Sequence, residues 1–281
     1  MRIKRTVLST FIFLLVFLLA SSVSAHEMWI EVEEAEGEMK VEVLWGHIGD
    51  FLDRASHDDY QVFVRVPNGT VEELEMEGVG VQARTYFIPQ EEGEYVFWAT
   101  RNPGTYTPGD GVTTLSVQMA KSVAQYGEGP GTAEEPVDIL LEIIPEVDLD
   151  SFTSGKFQGI VLLEGSPAAE AAISAYGPGD RALEGESDAD GSFQLDLDVP
   201  GTWLIKANVT TEEEGTHEGE DYGMVSRTTT LVIDTGDSGD DVEAAVATGT
   251  ATASPIMMGL IFIAGLLLGA AGAFAVKKKS T

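Results

Sequence analysis

The 281-residue sequence contains no cysteine, which excludes disulfides, thiolate metal sites and cysteine nucleophiles. Histidine is scarce, with four in the chain, and 16 basic residues face 47 acidic ones. Six of the sixteen (Arg2, Lys4, Arg5, Lys277, Lys278 and Lys279) lie at the two ends, so the rest of the chain holds ten basic residues against all 47 acidic ones, a net charge of −37. Such a surface repels nucleic acid and anionic lipid, draws cations loosely and stays soluble. No nucleic-acid partner is expected. The bulk of this charge reads as adaptation to the surroundings, because specific cation binding needs a clustered site. Common catalytic signatures are missing too: there is no Gly-x-Ser-x-Gly elbow, phosphate-binding loop, His-Glu-x-x-His helix or dinucleotide fingerprint. The carboxylates are too numerous to single out a catalytic pair, and the chain reads as a binding protein rather than an enzyme.

Long apolar runs are confined to two places. Residues 1–25 carry Arg2, Lys4 and Arg5, then an uncharged run from Phe11 to Ala20, then the small exit Val23-Ser24-Ala25, the pattern of a cleaved signal peptide. Residues 256–276 contain no charge and are long enough to cross a hydrocarbon core of about 30 Å. Lys277, Lys278 and Lys279 follow at once and mark the cytoplasmic side. The expectation is a single-pass membrane protein with its ectodomain outside the cytoplasm and a tail of residues 277–281 inside. Residues 235–255, rich in Gly, Asp, Ser, Thr and Ala, read as a flexible stalk.

Between these ends the pattern is period-two alternation in short segments, with Gly, Pro and Asn turns and no long helical period. Met28, Ile30 and Val32, then Val41, Val43 and Trp45, then Val62, Val64 and Val66 each mark one buried face. Further strands are expected at 81–88, 94–100 and 112–119, and in a second block at 155–163, 171–176, 191–197, 201–209 and 226–233. The fold class expected is all-β: two tandem immunoglobulin-like sandwiches, residues 26–147 and 151–234. Asp188-Ala189-Asp190-Gly191 shares Asp-x-Asp with calcium loops but lacks their remaining ligands, and reads as a hairpin turn. Trp29, Trp45, Trp98 and Trp203 read as core. Asn68 and Asn208 fit the glycosylation acceptor pattern.

Three of the four histidines fall early, at His26, His47 and His57. Cleavage after Ala25 makes His26 the first residue, and its free amine and imidazole then form a chelating pair for a divalent metal. If 26–33 and 39–47 form a hairpin, with Glu33 near Met39, His26 arrives opposite Gly46 or His47. His26 shares parity with Met28 and Ile30, and His47 with Val43 and Trp45, so both face the same way at the same end. The loop of residues 48–59 brings His57 and several carboxylates, Asp50, Asp53, Asp58 and Asp59, to the same edge, where they are candidates for a further ligand, His57 first, or for orienting the imidazoles. His217, in the acidic stretch 212–222, reads as a solvated loop residue.

Ala25-His26-Glu27-Met28-Trp29, Gly46-His47, Asp188-Ala189-Asp190-Gly191-Ser192-Phe193 and Pro200-Gly201-Thr202-Trp203-Leu204-Ile205-Lys206-Ala207 carry a resemblance. In this order they resemble the extracytoplasmic family of accessory components of nickel and cobalt uptake by energy-coupling-factor transporters. The second block is also similar to the transthyretin-like or carboxypeptidase-regulatory β-sandwich. The resemblance implies capture of nickel or cobalt, with copper possible, outside the cell and delivery to a membrane permease. Only His26 and His47 carry over from it; His57 comes from this sequence alone. Two other classes of function compete: a structural or adhesive surface protein binding another protein or a polysaccharide, and a copper-dependent oxidative enzyme using an N-terminal histidine.

Overall fold

The computed structural model describes residues 26–48, 51–109, 111–129, 131–149 and 151–235. The expected signal peptide, membrane span and tail and nearly all of the expected stalk lie outside the described residues, and no helix among the described residues is long and apolar enough to cross a membrane.

The described chain is all β, apart from one 3₁₀ turn at His57–Asp59. In order the strands are β1 (Glu27–Ala35), β2 (Glu38–His47), β3 (Phe51–Leu52), β4 (Tyr60–Arg65), β5 (Val71–Leu74), β6 (Glu77–Val79), β7 (Gln82–Phe87), β8 (Gly93–Tyr106) and β9 (Thr114–Tyr126). They continue with β10 (Leu141–Pro145), β11 (Gly155–Leu163), β12 (Ser166–Pro167), β13 (Ala172–Gly177), β14 (Arg181–Glu186), β15 (Ser192–Leu197), β16 (Thr202–His217) and β17 (Glu220–Asp234).

Eight strands form one sheet in the order β14-β13-β16-β17-β9-β8-β4-β5. A five-stranded sheet, β1-β2-β7-β6 with β3 on β2, covers one face of it, and a four-stranded sheet, β10-β11-β12 with β15 on β11, covers the other. Alternation along β8 and β9 explains the layering. Tyr95, Phe97, Ala99 and Ala120 point into a core with Met28, Ile30, Val41 and Val43, whereas Trp98 and Met119 point the other way, into a core with Leu141, Phe157, Leu195 and Trp203. The β1-β2 hairpin buries its second face as well, where Trp29 and Leu44 pack on Leu204 and Val232.

The boundary expected near residue 150 does not separate two sheets. β9 and β17 pair in parallel, with Thr114 opposite Met224 and Ser122 opposite Val232, so one sheet runs through both expected sandwiches. β10, expected in the first unit, pairs with β11 of the second. Parallel pairing of segments so far apart in sequence leaves no local turn signal to read. The Asp188–Gly191 stretch is a turn, with Asp190 Oδ1 accepting from the Ser192 backbone at 3.2 Å and hydroxyl at 2.6 Å. It is not a hairpin, because it carries the chain from β14 in the long sheet to β15 in the outer one. His217 lies on strand β16, not in a loop, and its Nε2 is 3.1 Å from the Pro103 carbonyl.

Candidate metal centre

The first hairpin positions the centre. Glu36 and Gly37, both with positive φ (57° and 84°), form the two-residue turn whose twist suits antiparallel strands. That turn sets the register: Ala35 pairs Glu38, Glu33 pairs Lys40, one residue from the expected partner, and Glu27 pairs Gly46. The next step places His26 beside His47. Their rings meet edge to face, with centroids 4.6 Å apart. Two nitrogens bound at about 2 Å to one metal ion lie at most about 4 Å apart, which is within reach of rings so placed.

Four residues surround the pair: Trp45, Arg101 and Phe51, which sequence reasoning did not assign to the centre, and Asp53, one of the loop carboxylates expected at this edge. Trp45 stacks on the His26 ring at 5.4 Å, and the Arg101 guanidinium lies 4.2 Å above the same indole. Trp45 is half-buried, not core. Its parity with His47 was the available signal. Phe51 stacks on His47 at 4.7 Å. Asp53 Oδ2 is 2.9 Å from His26 Nε2. β3 brings both Phe51 and Asp53: its residues pair with Gly46 and His47, and the Asp53 amide donates to the Trp45 carbonyl at 2.8 Å. A strand of two residues has too little alternation to be seen in sequence.

The Asp53 carboxyl is held below the usual range by the Arg54 amide, which donates to its Oδ1 at 2.7 Å, and by His26. It is therefore an ionised acceptor at neutral pH.

Behind the rings, the start of β1 is fixed from below. Glu27 is buried and pairs with Lys206 of β16 at 2.8 Å. The Gln118 side-chain amide donates to the His26 carbonyl at 3.3 Å. Two buried acceptors next to this segment, Glu27 Oε2 and Gln118 Oε1, have no donor among the described residues.

The third sequence candidate stands apart. His57 opens the 3₁₀ turn, with Nε2 3.4 Å from Asp58 Oδ1, and its ring lies against Gly78 of β6. The structure brings His26 and His47 together and leaves His57 outside their contacts. Among the described residues no three His, Asp or Glu side chains are grouped to hold a metal ion. The nitrogen expected to complete the set is the backbone amine of His26, which exists only once residue 25 is removed.

Of the glycosylation candidates, Asn68 sits exposed in a turn, with its Nδ2 donating to Glu91 at 2.7 Å. Asn208 Nδ2 is engaged inside the sheet by Ser226, Arg227 and Thr228.

A family model described as "Domain of unknown function (DUF4198)" matches residues 23–211. No curated protein matches the chain. Among solved structures, a 1.5-MDa bacterial ice-binding adhesin is 12% identical, with 75% of this chain and 63% of that one covered and a TM-score of 0.21. A two-domain fibronectin type III segment of chicken tenascin is 13% identical over 71% of this chain and 95% of that one, with a TM-score of 0.21. A Ca2+-stabilised ice-binding adhesin of an Antarctic bacterium is 13% identical over 75% of this chain and 49% of that one, with a TM-score of 0.22. Likeness this slight carries no functional argument.

Proposed function

The chain belongs to the DUF4198 family, and we propose that it is a membrane-anchored, extracytoplasmic binder of a divalent transition metal that captures nickel or cobalt, or copper, for an uptake transporter. One observation carries this reading: the hairpin register sets the imidazoles of His26 and His47 edge to face at 4.6 Å, at the residue that signal cleavage turns into the amino terminus. The mature protein then offers three nitrogens, the His26 amine and two imidazoles. Nitrogen sets of this kind suit tetragonal copper(II) and nickel(II). The strongly acidic surface raises the local concentration of divalent cations. Affinity alone ranks copper above nickel and cobalt, so selection of nickel or cobalt rests on supply and on the partner permease.

Calorimetry on the processed protein, its His26 terminus verified by sequencing, tests the reading. One metal ion binds per chain. His26→Ala, His47→Ala and a form retaining Ala25 each weaken binding by about 100-fold, on the scale of losing one ligand of three. Equal affinity in the processed and Ala25-retaining forms would sink the proposal, as would indifference to His47→Ala.

A further inference from the structure

Asp53 carries information about which nitrogen of His26 faces a metal. A neutral imidazole has one N–H donor and one lone pair, and the partner of one nitrogen fixes the role of the other. Asp53 is an ionised acceptor, so the 2.9 Å contact at Nε2 makes Nε2 the donor and Nδ1 the lone pair of the neutral ring. Ring size gives this a consequence. A metal held by the His26 amine and by Nδ1 closes a six-membered ring through Cα, Cβ and Cγ, whereas Nε2 points away from the amine on the far side of the imidazole.

The carboxylate is well placed to hold that proton. Its own amide is tied to the Trp45 carbonyl at 2.8 Å. One oxygen is taken by the Arg54 amide at 2.7 Å, which leaves Oδ2 for His26. Trp45 stacks on the ring at an interplanar angle of 20°, so tilting the ring plane away from Asp53 also breaks the stack.

We infer that Asp53 is a positioning residue: it takes the Nε2 proton of His26 and presents Nδ1 for chelation together with the mature amino terminus. This rests on the metal-capture reading, but the tautomer is measurable without metal. The full processed chain, purified in detergent and labelled with 15N-histidine, is recorded metal-free above the histidine titration range, where protonated and lone-pair nitrogens resonate far apart. His26 is then assigned by its loss in His26→Ala. Wild type shows the Nε2–H form. Asp53→Asn has a single oxygen, which the Arg54 amide claims as it claims Oδ1, so its Nδ2 donates to Nε2 and the ring shifts to the Nδ1–H form, whereas Asp53→Ala moves the ring toward a tautomer mixture. Copper(II) and nickel(II) affinities, measured by calorimetry on the same samples, fall about 10- to 100-fold in Asp53→Ala, the usual effect of removing such a partner, and fall at least as far in Asp53→Asn, whose Nδ1 carries the proton.

An unchanged tautomer in Asp53→Ala overturns the inference. So does an Nε2–H form that survives in Asp53→Asn. If wild type binds no metal, the proposed function falls, and the metal-free spectra still decide whether Asp53 sets the ring.

Discussion

Trp45 stacks on the His26 ring and carries the Arg101 guanidinium over its indole, a position that makes it a reporter. A paramagnetic ion held by His26 quenches the nearest indole, so copper(II) or nickel(II) binding is expected to lower tryptophan emission, and Trp45→Phe to abolish most of the change while three tryptophans remain to emit. Titration of emission against metal checks this directly. On the face of the same hairpin that carries Trp29, burial pushes the Glu31 carboxyl up, with Glu42 and Glu33 adding repulsion against a bond from Trp29 Nε1 at 2.9 Å. A carboxyl with a raised native pKa holds its proton more tightly folded than unfolded. Its contribution to stability is therefore complete below its ordinary value of 4.5 and is lost as pH rises through the native value. Glu31→Gln keeps an oxygen for Trp29 and removes the charge. It is expected to stabilise the protein at pH 7 by up to about 1 kcal/mol, with the gain vanishing near pH 4. Urea unfolding at the two pH values checks this, and an equal gain at both would refute it.

β3 depends on a glycine in the element it crosses. A Cβ on Gly46 would lie 2.2 Å from the Phe51 carbonyl oxygen and 2.8 Å from Leu52 Cα, so Gly46→Ala must push β3 away and take Asp53 with it. The expected cost is about 1–3 kcal/mol, as for other overpacked sites. A weaker metal affinity accompanies it, and denaturant unfolding and calorimetry measure the two effects. Between layers, Lys121 of β9 and Glu142 of β10 form a buried pair at 2.9 Å, with burial pulling the Lys121 pKa down. Removing one partner leaves a buried charge, so Lys121→Met should cost about 3–5 kcal/mol. Lys121→Met with Glu142→Leu should recover much of that loss, which denaturant melts of single and double variants decide. The elements show how far local pattern reaches. β11 falls on the expected residues 155–163, because Gly and turn residues bound an alternating run. The short polar link of residues 34–38 between two alternating runs made the meeting of His26 and His47 legible. β3, the placing of Phe51 and Arg101 and the choice of Asp53 among the loop carboxylates were not, since they follow from one strand crossing a glycine and from pairings between distant segments.

At the scale of the whole molecule, strand alternation identifies buried faces without saying which sheet a strand joins, and a division near residue 150 follows naturally from the two blocks of strands. The pairing of β9 with β17 and of β10 with β11 changes what such a division would mean energetically. A chain ending near residue 149 would leave one edge of β9 without its ladder and β10 without a sheet. It would also uncover Trp98 and Met119, which are buried against the second half of the chain. Exposed ladder edges and apolar faces of that kind favour aggregation over folding. Residues 26–235 are therefore expected to unfold as one cooperative unit, with calorimetric and van't Hoff enthalpies equal, and a fragment of residues 26–149 to lack a cooperative transition. Metal binding supplies an independent check. A ligand that binds only the folded state stabilises it by about 2.7 kcal/mol at one hundred times its Kd. In a single cooperative unit, metal at His26 and His47 must therefore slow amide exchange in β13 and β16 as much as in β1 and β2. Protection confined to the first hairpin and β4, with β13 and β16 exchanging as in the metal-free protein, would instead restore two independent domains.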